Sequence, residues 1–268
     1  MPLHWTRMIA AAAVAVGAVA CSSGESSGPH GDAQPPASAL YGPAIKRVVF
    51  EIDYVPGAEP YTGTIAGFGD IWGLFDTNVR RLFEGSEKQI ELPTTLDAME
   101  KLDGVSGATF SGEAILELAK AHRDRKSSGD TATFYFVWLD GHYDDGTKVR
   151  DDVLGVSLGD TGVIAMFMPV IAASGGPLPG LGVEKYVEQA TAIHELGHAA
   201  GLVDNGIPMA APHQDEEHGA HCTNQDCVMF FAVEGTNGAI DFVKKAVITN
   251  DVTLWGSECL ADAAAAAK

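Results

Sequence analysis

The sequence predicts an α+β domain in which a mixed sheet packs against helices. Strand-like runs at 47–55 and 131–139 are rich in β-branched and aromatic residues. Helical runs with periodic apolar residues at 71–83 and 111–125 alternate with them, and a longer helix is predicted at 183–202. This order of strands and helices is typical of an α+β or three-layer α/β domain.

Local signals set the bounds of these elements. Pro56 and Gly57 end the first strand, and Ser111 is a suitable N-cap for the helix that begins there. Glu113 and Glu117 favour the same helix because acidic side chains suit its early turns. The rest of the chain predicts a strand at 89–92, a helix at 95–102, strands at 153–158 and 163–168 around a turn at 159–162, a loop at 172–182, an irregular segment at 203–228 and a helix at 240–247.

The charge balance excludes some classes of partner. The 268 residues include 36 acidic and 17 basic side chains, which gives a net charge of −19. Such a surface disfavours binding to nucleic acid or to an anionic membrane surface. The hydrophobic content of 46% is ample for a core. We expect a monomer that acts on a peptide or protein substrate.

The N-terminus predicts export. Residues 9–20 form an apolar run of 12 residues, which is too short to span a bilayer but suits a secretory signal at 1–20. Small residues followed by Cys21 resemble the lipobox of bacterial lipoproteins, in which the cysteine is lipidated. An ordinary signal peptide with an incidental Cys21 is the alternative. We expect a lipoprotein at the periplasmic or extracellular face of a membrane, which it contacts only through Cys21.

Three segments follow from this composition: the signal peptide at 1–20, a flexible Ser/Gly/Pro linker at 21–44, and a single domain at 45–268.

Residues 140–152 form an acidic loop whose spacing does not match a calcium-binding EF-hand, so a solvated loop is expected there.

The motif H-E-x-x-H at 194–198 carries the chemistry. On a helix, His194 and His198 lie one turn apart on the same face and can bind one metal ion. Glu195 is then placed to take a proton from a water molecule at that ion, as in zinc hydrolases. Gly201 follows, where a glycine with positive φ can end the helix.

The run H-E-L-G-H-A-A-G at 194–201 resembles the metzincin zinc peptidases. Further along, H-C-x4-C-x-M at 221–229 is similar to the archaemetzincin branch, although 17 extra residues precede it here. The resemblance implies a metzincin-like three-layer fold, zinc as the cofactor and peptide-bond hydrolysis. It also implies that Met229 forms the methionine turn beneath the metal, with Met209 as the alternative.

The resemblance leaves the third zinc ligand open. His221 matches the branch-specific element, and Asp204 lies at the strict metzincin spacing, three residues after Gly201. His213 is a third candidate in a loop rich in His and acidic residues. A glutamate ligand is disfavoured because no helical context accompanies the available residues, which are Glu216, Glu217 and Glu234.

The cysteines are expected to form a disulfide. Export exposes them to an oxidising environment, and Cys222 and Cys227 are close enough to close a small loop, with Cys259 free or competing. The second cysteine pair of the archaemetzincin branch is missing, which disfavours a four-cysteine zinc site.

The sequence therefore predicts an exported zinc-dependent metalloendopeptidase with Glu195 as the general base and zinc held by His194, His198 and a third ligand, which is His221, Asp204 or His213. The alternative is a catalytically silent cell-surface lipoprotein that binds zinc. An intact Glu195 favours the enzyme, because a scaffold needs no base.

Overall fold

A computed structural model describes residues 34–65, 69–175, 182–249 and 252–268. The predicted signal peptide, Cys21, the linker as far as residue 33, and part of the predicted loop at 172–182 lie outside the described residues. The strands are β1 (Arg47–Tyr54), β2 (Thr64–Ile65), β3 (Gly69–Asp70), β4 (Gln89–Glu91), β5 (Glu100–Lys101), β6 (Thr109–Ser111), β7 (Thr131–Leu139), β8 (His142–Asp144), β9 (Val149–Arg150), β10 (Gly155–Ser157) and β11 (Val163–Phe167).

The helices lie between and after these strands. They are α1 (Ala37–Tyr41), α2 (Trp72–Leu82), α3 (Gly112–His122), α4 (Met168–Ala173), α5 (Val183–Ala199), α6 (Thr236–Thr249) and α7 (Ser257–Ala266), with short 3₁₀ helices at Leu96–Ala98, Gly159–Thr161 and Phe231–Glu234. None of the helices in the described ranges is both long and apolar enough to cross a membrane.

The main sheet is mixed. Its strand order is β10-β11-β7-β1-β4. Strand β5 pairs with the C-terminal end of β1, on the same edge as β4, which pairs with the N-terminal end. Neighbours are parallel except for β10, which runs antiparallel to β11 as an outer strand. The predicted mixed α+β fold is therefore confirmed, and the prediction of a strand at 131–139 matches β7 at both ends.

Helices α2 and α5 pack on one face of the sheet, where aromatic side chains fill the space. Phe136 and Trp138 of β7 contact Phe75 and Trp72 of α2, with ring centroids 5.5 and 5.9 Å apart. The indole N–H of Trp138 donates to Glu188 of α5 over 2.6 Å. Because α5 is fixed on the sheet in this way, its histidines have a rigid base.

Long-range pairing overrides several local predictions. The predicted helix at 95–102 is wrong: a 3₁₀ turn at Leu96–Ala98 leads into β5, and Leu102 donates to the carbonyl of Tyr54 over 2.8 Å. The free edge of β1 provides these partners, and local helix propensity carries no information about them. The acidic loop contains β8 and β9, and Arg150 pairs there with Asp145 and Asp152.

Both ends of the described chain pack on the domain. In the predicted linker, α1 buries Leu40 and Tyr41, and the Tyr41 hydroxyl donates to the carbonyl of Ala200. The alanine-rich C-terminus forms α7, which buries Cys259 and Asp262. Helix α1 therefore lies beside the end of α5, and it also contacts α7.

Candidate metal centre

Helix α5 supplies the first two side chains of the site. His194 and His198 lie four residues apart on its buried last turns, and their Nε2 atoms are 3.0 Å from each other. Two imidazole nitrogens that face each other at this distance share no good hydrogen bond unless one is protonated. A single cation between them would satisfy both lone pairs.

The helix ends where Gly201 allows the chain to turn. Gly201 has φ +81° and donates to the carbonyl of His198 over 3.0 Å, while Leu202 donates to Gly197 over 3.0 Å. These two bonds form a Schellman motif, which needs a residue with positive φ at the Gly201 position. A side chain here would also overlap Cβ of Ala37. The chain therefore turns away from α5 at Gly201, three residues after His198.

His221 completes a set of three imidazoles. Its ring centroid lies 5.3 Å from that of His194 and 4.9 Å from that of His198. The next residue, Cys222, donates its N–H to the carbonyl of Met229 over 2.7 Å. This bond holds His221 opposite α5, although 22 residues separate it from His198 in the sequence.

Hydrogen bonds from the far side of two rings direct their Nε2 atoms inward. Nδ1 of His194 lies 2.6 Å from the carbonyl of Val228, and Nδ1 of His221 lies 2.6 Å from that of His218. A carbonyl only accepts, so each Nδ1 donates, and in the neutral ring each Nε2 then keeps its lone pair. Nε2 of His221 is buried without an aligned hydrogen-bond partner. The donor set therefore fits a divalent metal such as zinc, which imidazole ligands suit.

Electrostatics keep two of the rings neutral. Burial, followed by the neighbouring His221, lowers the pKa of His194 to about 4. Burial and the other two histidines also hold the pKa of His198 well below its ordinary value. Neutral imidazoles are the form that binds a metal.

Glu234 joins the three histidines, although its sequence context disfavoured it as a ligand. Its Oε1 lies 2.9 Å from Nε2 of His221, 3.8 Å from that of His198 and 4.0 Å from that of His194. Burial acts to raise its pKa, but the neighbouring His221 outweighs this and lowers it to about 2. The four side chains form one group whose ligand atoms all lie within 4.8 Å of one another.

Glu195 lies on the sheet side of the same helix turn. It is 4% exposed, and its carboxylate accepts the N–H of Ser157 on β10. Burial, and then the nearby charge of Glu234, holds its pKa well above the ordinary value. A bound cation would oppose both effects and favour the carboxylate.

The other candidate ligands lie elsewhere. Asp204 is exposed in a turn where it and Val203 both have positive φ, and it is not part of the four-residue group. His213 belongs to a different cluster, together with Cys222 and Cys259. Of the candidates considered from the sequence for the third position, only His221 and the disfavoured Glu234 reach the two helix histidines.

Met229 is buried directly beneath α5. A Cβ at Gly197 would overlap its Sδ atom, so the helix and the methionine are in close contact between His194 and His198. The adjacent Val228 is the residue whose carbonyl fixes the His194 ring. The segment that contains Met229 therefore supports the histidines from below.

A second cluster contains the three described cysteines, and the expected Cys222–Cys227 disulfide is not present. Nδ1 of His213 lies 3.3 Å from Sγ of Cys222, and Sγ of Cys227 lies 3.5 Å from that of Cys259. Cys259 reaches this position because α7 packs on the domain, which the alanine-rich sequence did not reveal. His213, Cys222 and Cys259 could together hold a metal ion.

Polar groups around this cluster stabilise a thiolate. Hydrogen bonds from the thiols of Cys227 and Cys259 lower the pKa of Cys222 to about 2. Nε2 of His213 lies 2.7 Å from the buried carboxylate of Asp262, which orients the ring so that Nδ1 faces the sulfur atoms. A carboxylate behind a histidine in this way is typical of metal ligands.

Comparisons with known proteins add little to this geometry. No protein-family model matches the chain, and no curated protein matches it. A solved structure of a zinc-dependent peptidase from Methanocorpusculum labreanum (strain Z) is similar over 80% of this chain and 99% of that chain, with 12% identity and a TM-score of 0.44. A likeness this weak carries no functional argument, so the residues of the site must carry it.

Proposed function

We propose that this protein is a zinc-dependent endopeptidase. The observation that carries the proposal is the convergence of three Nε2 atoms, from His194, His198 and His221, next to the buried Glu195 of the same helix. Three imidazole ligands leave a coordination position for water or substrate, as in catalytic zinc sites.

The protein residues have distinct roles in the proposed reaction. Bound zinc would polarise the scissile carbonyl and acidify a water molecule. Glu195 would take the proton from that water as the water oxygen attacks the scissile carbonyl carbon, and it would pass the proton to the amine nitrogen as the C–N bond breaks. The N–H of Ser157 orients the Glu195 carboxylate, and the carbonyls of Val228 and His218 fix the imidazole rings.

The outer strand β10 is a suitable place for the substrate backbone. Its Ser157 already contacts Glu195, and a Cβ at Gly155 would come within 3.0 Å of Cγ of Glu195. An extended peptide that adds to this edge would place a peptide bond next to the base. We therefore propose an extended peptide segment as the substrate.

Replacing Glu195 by Gln tests the mechanism. The variant should keep the metal but lose hydrolysis of a peptide library, because the amide cannot accept the proton from water. Wild-type activity that is sensitive to a chelator, together with an inactive and metal-loaded Glu195→Gln variant, would support the proposal. Full activity in that variant would contradict it.

The position of Glu234 favours a second candidate function, a catalytically silent protein that binds zinc. A carboxylate at the fourth corner closes the site, and closed four-ligand sites are typical of structural zinc. The same peptide library separates the candidates, since a silent protein hydrolyses nothing with or without a chelator.

We propose that the protein acts outside the cytoplasm, anchored through a lipid on Cys21. The support is the sequence of residues 1–21 alone. Metabolic labelling with a fatty-acid analogue tests this, because the Cys21→Ala variant should lose the label and a Ser23→Ala variant should keep it.

We infer that the second cluster holds a structural zinc ion bound by His213, Cys222, Cys227 and Cys259. One imidazole and three sulfur ligands are a common set for structural zinc. The ion would join the irregular segment that carries His221 to α7, through ligands that are far apart in sequence. Its contribution would be to stability rather than to the reaction.

A further inference from the structure

Glu234 lies where a fourth ligand of the proposed metal centre would lie. Ligands of a tetrahedral zinc ion with bonds of about 2.0–2.1 Å are about 3.3 Å from one another. The distances from Oε1 of Glu234 to the three Nε2 atoms are 2.9, 3.8 and 4.0 Å, and the two helix histidines are 3.0 Å apart. These four distances lie on both sides of the tetrahedral value, and the distances from Nε2 of His221 to the other two Nε2 atoms are within 4.8 Å.

The backbone on both sides of Glu234 is held in place. The preceding Val233 is 1% exposed, and the following Gly235 forms a β-bridge with Val153. Glu234 ends the 3₁₀ helix Phe231–Glu234, so its carboxylate faces the histidines because of the fold. This ordered backbone places the Glu234 side chain beside the histidines.

Glu234 differs from the other three members of the group in its freedom to move. Its side chain is 54% exposed, whereas those of His194 and His221 are 1% and 8% exposed. Both of these histidines are also fixed through Nδ1. A rotation about the side-chain bonds of Glu234 would take its carboxylate into solvent without disturbing the core.

We propose that Glu234 is a displaceable fourth ligand, which closes the metal centre in the absence of substrate and leaves it when water and substrate enter. This inference rests on the metal centre of the proposed function. It reconciles a closed four-ligand arrangement with an intact Glu195, because the closed form is a resting state. A site that stayed closed would have no use for a base.

The test uses the full chain loaded with Co²⁺, whose visible absorption reports its ligands. The probe is imidazole at a pH where it is neutral. Loss of the negative charge of Glu234 then cannot change the imidazole affinity through electrostatic attraction or repulsion alone. Three variants are compared with wild type: Glu234→Ala, Glu234→Gln and the control Glu216→Ala, which changes an exposed glutamate outside the group.

Imidazole should bind about tenfold or more tightly to both Glu234 variants than to wild type, since a site closed in about nine molecules of ten weakens apparent affinity tenfold. Both variants should also hold Co²⁺ less tightly in competition with a chelator. The Glu216→Ala variant should match wild type in both measurements. Equal imidazole and metal affinities in wild type and Glu234→Ala would overturn the inference.

The Glu234→Gln variant separates coordination from bulk. If Glu234 only filled space and did not bind the metal, Gln at this position would have the same effect. An imidazole affinity of Glu234→Gln equal to that of wild type would therefore also overturn the inference. These measurements need no turnover. If the Glu234 variants behave as expected but no peptide is cleaved, the ligand assignment stands and the peptidase proposal fails. If wild type binds no Co²⁺ or Zn²⁺, both fail.

Discussion

At the scale of single residues, the metal centre depends on which ring nitrogen carries the proton. The carbonyls of Val228 and His218 each accept from an Nδ1 atom, which leaves two Nε2 lone pairs directed at the same point. Nε2 of His221 is buried, and Oε1 of Glu234 lies 2.9 Å from it. A cation bound at this point would give the lone pair of the neutral ring a partner.

The choice of third ligand can be tested by substitution. His221→Ala should weaken zinc binding by more than the roughly 10- to 100-fold that loss of an outer-shell partner costs, because a direct ligand is removed. Asp204→Ala should leave affinity unchanged, since Asp204 is exposed and outside the group. Competition with a chromogenic chelator measures both. The opposite order would assign the third position to Asp204.

A buried carboxylate outside the site predicts a pH dependence of stability. Asp53 is fully buried, and although it accepts the Tyr135 hydroxyl, its Oδ1 has no partner. Burial is the main cause that raises its pKa from 3.8 to about 7. The folded state therefore binds this proton more tightly than the unfolded state does. The resulting contribution to the free energy of unfolding is fully present below pH 4 and is lost as the pH rises towards 7.

Asp53→Asn should remove this dependence. Between pH 4 and 8 the wild type should lose up to about 4 kcal/mol of unfolding free energy relative to the variant, at about 1.4 kcal/mol per pH unit. Urea unfolding at several pH values measures the difference. Asp160→Asn, at an exposed position, should keep the wild-type dependence. Parallel curves for wild type and Asp53→Asn would show that Asp53 does not carry the shifted pKa.

At the scale of elements, α5 and the segment around Met229 are built to fit each other. Gly197 lies between the two helix histidines, and Sδ of Met229 occupies the space where a Cβ would be. A glycine inside a helix usually destabilises it by roughly 0.5–1 kcal/mol relative to alanine. Here the close contact with the methionine explains why glycine is needed.

Gly197→Ala should therefore destabilise the protein by about 1–3 kcal/mol through overpacking, despite the better helix propensity of alanine. It should also weaken zinc binding, because the helix must move from Met229. Gly112→Ala is the matched control, since a Cβ there meets nothing closer than 3.5 Å. Thermal unfolding and chelator competition measure the two effects. A stabilised Gly197→Ala variant would contradict the packing argument.

At the scale of the whole molecule, two clusters join segments that are far apart in the chain. The group of His194, His198, His221 and Glu234 links α5 to the segments before and after Met229. The cysteine cluster links the same irregular region to α7. The region from 203 to 228 has little regular structure of its own, so bound metals would replace the order that helices and strands provide elsewhere.

Metal removal should accordingly lower stability, and the native chain should hold two zinc ions. A ligand at about 100 times its Kd stabilises a fold by about 2.7 kcal/mol, so a chelator should lower Tm measurably. His213→Ala should lose one zinc ion by elemental analysis, whereas His218→Ala, at an exposed residue, should keep two. One zinc ion in wild type, or a Cys227–Cys259 disulfide, would contradict the second site.

The sequence determined the parts of this protein that depend on near neighbours. The four-residue spacing of His194 and His198 predicted a shared helix face, Gly201 predicted the helix end, and enrichment in β-branched and aromatic residues predicted β1 and β7. Each of these depends on contacts within a few residues, where steric and hydrogen-bonding preferences act directly on the chain.

Only the tertiary structure decided which other residues join the two histidines. His221, Glu234 and the cluster of His213 with the cysteines lie in irregular segments or at helix ends, without a periodic pattern. Their positions follow from pairing across long stretches of chain, such as Cys222 with Met229 and Val153 with Gly235. Pairing with β1 likewise made a short edge strand, β5, out of part of the predicted helix at 95–102. Local propensity contains no information about partners that the fold alone brings together.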